Sequence, residues 1–499
     1  MVFSSIPFLF FFMPLCLLLY YAVPYSWKNG VLLLFSLVFY AWGEPVYILL
    51  MLFASTVDYT NGRLMTRFGS TEGRRRLFLC CSVIINLSVL GFFKYADFLI
   101  DTVNGLFHTG LRPLGLGLPV GISFFTFQTM SYSIDLYRRK VPVEKNYLTY
   151  LTYVSMFPQL VAGPIVRFST VNQELHSRKI RRSEVTDGFY RFLQGLFKKV
   201  LIANQAGALW EEIRLLETGQ ASAATAWLGA AAFTLQLYFD FSGYCNMARG
   251  LGWLFGIEIP VNFNSPYKAV SIVDFWKRWH ITLSRFFTKN VYIPLGGNRK
   301  GRGRMYFNLF LIYLLSGIWH GAGWTFVLWS VTQGVLYIVT RMWQLHQKEK
   351  REKSGKAKAA GPVRGQVVKV AGVLFTFVYF SLTCVFFRSE TVGQALEIFR
   401  HLFTGGIALP AEAMMQSFNL DEFWYVIKLL HLDSLPYSQM YLGGIITVVT
   451  MAVVFFAPNA DEVAVRFRPK AWNALVTAGL FLWCVLSLSG VSSFLYFNF

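Results

Sequence analysis

The chain predicts an all-α, polytopic membrane protein, and three observations carry that prediction. Its 499 residues are 55 % hydrophobic, 18 % aromatic and only 14 % charged, with a mean hydropathy of +0.45. That is far more apolar than a soluble enzyme. Apolar runs of spanning length, bounded by charge or by Gly and Pro, recur from end to end. The formal net charge of +20 comes from Lys and Arg gathered mainly in short connections between those runs, the positive-inside pattern of cytoplasmic loops. The basic balance therefore points to a membrane and its lipids, with no nucleic-acid partner.

In chain order, residues 1–27 carry no charged side chain. The basic leader of a cleavable signal is missing, and Phe8 to Tyr21 reads as a retained first helix whose N-terminus lies outside the cytoplasm. Further apolar runs follow near 29–43, 44–62, 77–98, 117–137, 147–165, 187–210, 225–256, 305–320, 322–342, 367–388, 439–458 and 472–495. Some are too short to cross alone, so about eleven transmembrane helices are expected, with re-entrant or interfacial segments among the rest. Arg74 to Arg76, Arg138 to Lys145 and Arg167 to Arg182 mark cytoplasmic loops. Between Arg341 and Lys369 there are nine Lys/Arg against two Glu, and this stretch, with residues 343–366 at its centre, reads as a flexible cytoplasmic linker. Residues 1–390 form the membrane core. Residues 391–499 form an external loop, sparse in Lys and Arg up to about Met440, and the last transmembrane helices. The six cysteines, at 16, 80, 81, 245, 384 and 484, show no metal-ligand or redox spacing and read as core residues.

Asn262 to Arg304 interrupts the series with nine Lys/Arg and one acidic residue among Phe, Trp, Tyr and Ile. It cannot span lipid. Ile272, Phe275, Trp276, Trp279, Leu283 and Phe286 follow helical spacing, which predicts one interfacial amphipathic helix. Its Lys277 and Arg278, together with Arg299 after the Gly296-Gly297 turn, either rest on anionic headgroups or bind phosphates of an activated acyl donor.

The residues that could carry chemistry are few. Trp319-His320-Gly321 sits between two apolar runs and puts an imidazole at membrane depth. A neutral imidazole there either relays a proton or hydrogen-bonds a neighbouring helix. His280, in the interfacial segment, is either a second site residue or an interfacial anchor. Asp240 in LYFDFSGY is another costly intramembrane charge, able to orient a histidine or to anchor a polar network. Arg167 follows a Gly163-Pro164 break of the kind tolerated where a helix lines a cavity, and an ordinary snorkelling arginine would look the same. No HExxH, paired histidines or cysteine cluster suggests a metal. No nucleophile elbow suggests a serine acyl-enzyme.

The segments LPVGISFF (118–125), FPQLVAGPIVRF (157–168), LQLYFDFSGY (235–244), NFNSPY (262–267), DFWKRWHITLSRFF (274–287), YIPLGGNR (292–299) and SGIWHGAGWTFVLW (316–329) together resemble the membrane-bound O-acyltransferase (MBOAT) family, in its alginate O-acetylation branch. One departure is Cys245-Asn246, where close relatives tend to carry Ser-Asp. The resemblance implies a ring of tilted helices around a thinned membrane centre in the bacterial cytoplasmic membrane, with a cytoplasmic acyl donor and an external acceptor approaching from opposite faces. It implies His320 as the catalytic histidine and His280 as the second site residue. It also implies an extracytoplasmic SGNH-type acetyltransferase as partner and a polysaccharide as acceptor.

Elementary chemistry agrees with that implication. Transfer of an acetyl group from a thioester, acetyl-CoA or another, to a hydroxyl needs a base for the hydroxyl and donors for the developing oxyanion. His320 supplies the base, and Trp319, Asn308 or Tyr238 could supply donors. The expected function is thus O-acetylation of an extracellular polysaccharide by a multi-pass acyltransferase holding no bound cofactor. The competing readings are D-alanyl transfer to teichoic acid, peptidoglycan O-acetylation on the same fold, and a non-enzymatic polysaccharide or lipid transporter.

Overall fold

The computed structural model describes residues 1–214, 222–354, 362–406, 408, 410–418, 420–467, 470–489, 494 and 495. Among these residues every regular element is a helix. They divide into two compact units, one of Met1–Leu196, Gly243–Val261 and Ala464–Phe499, the other of Phe197–Ser242 and Asn262–Val463. The 32-residue helix Ala223–Leu254 contributes its first part to the second unit and its last part to the first.

In the first unit, Phe3, Phe8, Phe12, Phe39 and Phe157 form a buried aromatic cluster with neighbouring ring centroids 4.9 to 6.3 Å apart. Beside it pack the helices Ile48–Phe68, Glu72–Phe107 and Ile122–Tyr137. They share one buried carboxylate: Asp58 accepts hydrogen bonds from the Ser82 hydroxyl, from Ser133 Oγ at 2.7 Å and from Asn86 Nδ2 at 2.7 Å. Donors on two neighbouring helices thus compensate a charge that lipid would expel. The run 147–165 is not one helix. Met156, at φ −49° and ψ 111°, separates Tyr147–Ser155 from the short turn Phe157–Leu160, with Pro158 unable to continue the upstream ladder. Closer packing comes from bare glycines. A Cβ on Gly250 would lie 2.5 Å from the Gly188 carbonyl oxygen and one on Gly195 would lie 2.4 Å from that of Gly243, so Arg182–Phe197 meets the end of Ala223–Leu254 backbone to backbone.

In the second unit the helices Gly301–His320 and Trp324–Ser354 form an antiparallel hairpin, and Pro362–Arg388 packs along the latter. Gln333 Nε2 donates to Thr383 Oγ1 at 2.6 Å, joining the last two. Trp324–Ser354 extends well past the apolar run that predicts it. Residues 343–354 and 362–366 are helical where a flexible linker was expected, while 355–361 lie outside the described residues. Lys, Glu, Arg and Gln are good helix formers, and Lys348–Glu352 adds an i,i+4 pair at 3.7 Å. The expected external loop also carries helices, Val392–Thr404, Glu412–Phe418 and Asp421–Leu429.

Three described helices are long and apolar enough to cross a membrane by themselves: Glu72–Phe107, Gly365–Arg388 within the longer helix, and Ser438–Phe456. Phe8–Ala22 and Ala471–Leu486 are apolar but shorter. Large apolar side chains such as Ile84, Phe92, Val448 and Phe456 stand exposed on the long helices, as lipid-facing surfaces require. The molecule is a helical membrane protein.

Candidate active site

The site lies in the second unit and begins with a broken helix. Ile272–Arg278 is started by Ser271, whose hydroxyl accepts from the Asp274 backbone N–H at 3.2 Å. Asp274 in turn holds Arg278, Nε to Oδ1, at 3.0 Å. The single amphipathic helix expected across 272–286 does not form. His280 takes a left-handed conformation, φ 43° and ψ 53°, and a second helix, Ile281–Phe287, starts after it. A left-handed backbone at a non-glycine residue costs about 1–2 kcal/mol and persists only where the surroundings impose it.

Asn262 and Asn264 impose it. Asn262 Oδ1 accepts from the backbone N–H of Thr282 at 3.1 Å and from its hydroxyl at 2.9 Å, while the Asn262 carbonyl accepts from the Ile281 N–H at 2.9 Å. The Asn264 N–H donates to the Arg278 carbonyl at 2.9 Å. The NFN tripeptide therefore caps both new helix ends at the break.

The break turns the His280 ring into an aromatic enclosure. Its centroid lies 4.9 Å from Phe241, 5.8 Å from Trp319 and 6.3 Å from His320. His320 is the last residue of Gly301–His320, and its ring is 4.9 Å from Trp319, 5.3 Å from Trp329 and 5.3 Å from Phe387. Both imidazoles are buried, His280 with 0 % and His320 with 3 % of its surface exposed. Neither ring nitrogen of His280 has a hydrogen-bond partner on another described residue. A structural histidine at such depth would be hydrogen-bonded, because an unmatched buried polar group is costly. A buried imidazole with both nitrogens unmatched is chemically able to take or give a proton.

Glycines set the position of His320. A Cβ on Gly317 would lie 2.2 Å from Ser330 Cβ, and one on Gly321 would lie 2.1 Å from the Phe326 ring. Only bare backbone permits the hairpin to close this tightly at the histidine.

The other expected residues fall at varied places. Asp240 is 1 % exposed and lies 2.7 Å from Lys199 Nζ, in a buried ion pair, and Phe241 beside it touches His280. Asn308 is buried, but its Nδ2 donates to the carbonyls of Gly297 at 3.1 Å and Leu295 at 3.4 Å. It secures the turn in which Gly296 and Gly297 adopt φ +102° and +55°. Lys277 and Arg299 are exposed, whereas Arg278 is held by Asp274. Arg167 belongs to the first unit, where it faces Asp135 at 3.8 Å. Among the described residues no three His, Cys, Asp or Glu side chains gather as a metal site would need.

Lys199, Phe241, Asn262, Trp329 and Phe387 are additions from the structure. Lys199 had a usable signal, a lysine inside the apolar run 187–210, the same anomaly that marks Asp240. Phe241 and Trp329 lie in the segments LQLYFDFSGY and SGIWHGAGWTFVLW, whereas Phe387 had no signal, since Phe is abundant throughout the chain.

Residues 138–388 match the model of the membrane-bound O-acyltransferase family. The chain is also 36 % identical, over the full length of both proteins, to a probable alginate O-acetylase AlgI of Pseudomonas putida. The chain belongs to the membrane-bound O-acyltransferase family. This O-acyltransferase is 33 % identical to a peptidoglycan O-acetyltransferase of Helicobacter pylori, covering all of this chain and 98 % of that one. It is 28 % identical to a teichoic acid D-alanyltransferase of Streptococcus thermophilus, across 52 % of this chain and 65 % of that one. Both histidines of the enclosure fall inside the matched family segment.

Proposed function

We propose that this acyltransferase moves an acetyl group from a cytoplasmic thioester, acetyl-CoA or another, to hydroxyls of an extracellular polysaccharide, with His320 as general base. The observation that carries the reading is the buried pairing of His280 with His320, 6.3 Å between centroids, inside an aromatic wall. In that enclosure the acceptor hydroxyl gives its proton to His320 as its oxygen bonds to the thioester carbonyl carbon. The C–S bond then breaks, and the imidazolium returns the proton to the leaving thiolate. We assign to His280 and the Trp319 indole N–H the steadying of the oxyanion between these steps. Water is excluded by Phe241, Trp329 and Phe387, so these dipoles act at low dielectric.

The exposed Lys277 and Arg299 suit donor phosphates, with Arg278 fixed for the helix end and Asn308 shaping the turn beside them. The Lys199–Asp240 pair anchors the helix that carries Phe241. Arg167 stays with its loop at the lipid boundary. The chain spans the bacterial cytoplasmic membrane about eleven times, in a ring with re-entrant helices and an extracytoplasmic N-terminus, and lipids surround it. An extracytoplasmic SGNH-type protein is the expected partner that completes transfer to polymer.

Relatives matched along their whole length are named for acetylation of alginate and of peptidoglycan. Both are saccharide polymers, so acetyl is the cargo that these two likenesses share. Peptidoglycan is the second acceptor to test. D-Alanyl transfer has the support of a partial match only.

The test measures ester-linked acetate on surface polymers of cells lacking the protein, complemented at equal membrane abundance with wild type or with His320→Ala. Wild type restores acetate, and His320→Ala lowers turnover at least about 100-fold, the scale of a lost general base. Equal restoration by both removes His320 from the mechanism.

A further inference from the structure

A cleft of about 390 Å³ in the first unit is unrelated to the histidine enclosure and stands on its own evidence. Glu174, Arg178, Lys179, Glu184, Trp253 and Glu258 line it. Three of its polar atoms are buried with no hydrogen-bond partner on any described residue: Glu174 Oε2, Arg178 Nε and Trp253 Nε1. One is an acceptor and two are donors. Arg178 is only 8 % exposed, so its guanidinium is held in place without being fully used.

Aromatic hydroxyls hydrogen-bond the backbone next to the cleft. Tyr20 and Tyr21 donate to the carbonyls of Phe255 at 2.7 Å and Leu254 at 2.6 Å, at the end of the helix whose Trp253 lines the cleft. The Tyr25 hydroxyl accepts from the Arg178 backbone N–H at 2.9 Å. Tyr21, Tyr25 and the neighbouring Trp27 are exposed, whereas Tyr20 is fully buried; exposed Tyr and Trp are the residue types that gather at a membrane–water interface.

We infer that the cleft binds an ammonium–phosphate zwitterion, the chemistry of a phosphoethanolamine headgroup. Glu174, with Glu258, takes the ammonium. Arg178 Nε, Lys179 and the Trp253 indole N–H take phosphate oxygens. A purely anionic headgroup would satisfy the two donors and leave the buried Glu174 oxygen facing like charge.

The pH response has a defined sign. Burial pushes the Glu174 carboxyl up to about 7, opposed first by a hydrogen bond from the Glu258 backbone, while the Glu258 charge adds to the rise and Arg178 opposes it. An ammonium prefers the carboxylate, so binding strengthens as pH rises through 7 and weakens below it. The other charges facing the cleft are Lys179 and Glu184, the latter paired with Arg181 at 3.9 Å. His176 on the same helix pairs with Glu144 instead, at 3.1 Å.

The test titrates the purified full chain in detergent with short-chain phosphatidylethanolamine, phosphatidylglycerol, O-phosphoethanolamine and inorganic phosphate. Phosphatidylethanolamine should bind at least about tenfold more tightly than phosphatidylglycerol. Glu174→Gln should remove that preference and its pH dependence while leaving the melting temperature unchanged. Lys179→Gln, at an exposed position, should weaken both lipids. Comparable binding of O-phosphoethanolamine assigns the ligand to the headgroup alone, and binding only of the lipid assigns it to the membrane. Equal affinity for the two lipids overturns the inference, as does an unchanged preference in a folded Glu174→Gln protein.

Discussion

His280 shows how one residue can serve both fold and site. Its left-handed backbone ends one helix and starts another, while its side chain faces His320. The two roles separate by substitution, because glycine adopts positive φ without cost and carries no imidazole. His280→Gly should unfold within a few degrees of wild type and lose most transferase turnover. His280→Ala should lose turnover equally and be less stable by about 1 kcal/mol, since alanine retains the steric penalty. Thermal unfolding in detergent and a turnover assay decide this, and full turnover in His280→Gly would exclude the side chain from the site. The sequence made His320 and His280 conspicuous, because an ionisable group amid apolar residues is anomalous wherever it lies. It did not reveal that Asp240 pairs with Lys199. Ion pairs between residues 41 positions apart form through tertiary packing, which local pattern does not encode.

At the scale of elements, a histidine at the end of a helix is only as well placed as the helix. Gly301–His320 meets Trp324–Ser354 so closely that Gly317 has no room for a methyl group against Ser330. Gly317→Ala must part the hairpin one turn before His320. It should cost about 1–3 kcal/mol, the usual penalty for overpacking, and reduce turnover in parallel. Adding Ser330→Gly removes the opposing Cβ and should recover part of both losses. Gly303→Ala is the control, since nothing lies within 4 Å of its added Cβ. A wild-type melting temperature in Gly317→Ala would refute the steric account. Periodicity identified both hairpin helices, but it missed the break at His280. The apolar residues on either side continue one helical pattern, and capping by Asn262 and Asn264, up to 20 residues upstream, decides the outcome. Hydropathy likewise ended Trp324–Ser354 too early, because Lys and Glu leave the apolar stripe without leaving the helix.

For the whole molecule, an apolar composition gathered into runs of spanning length announced a helical membrane protein, since no soluble core accommodates so many apolar residues. Direction across the membrane is a further property of the whole chain, set by where Lys and Arg collect. Arg74 to Arg76, Arg138 to Lys145, Arg167 to Arg182 and the exposed Lys277 and Arg299 should face the cytoplasm together. The proposed donor is a charged thioester that does not cross lipid, so it must approach from that side. Membrane vesicles of opposite orientation test this directly. Labelled acetyl-CoA supplied outside inside-out vesicles should acetylate enclosed polysaccharide in a protein-dependent way. The same label outside right-side-out vesicles should leave polymer unlabelled until detergent admits it. Equal labelling of intact vesicles in both orientations would place the donor site on the external face and invert the proposed path of the acetyl group. If neither orientation accepts acetate and a D-alanyl thioester labels polymer from the cytoplasmic side, the path stands and the cargo changes.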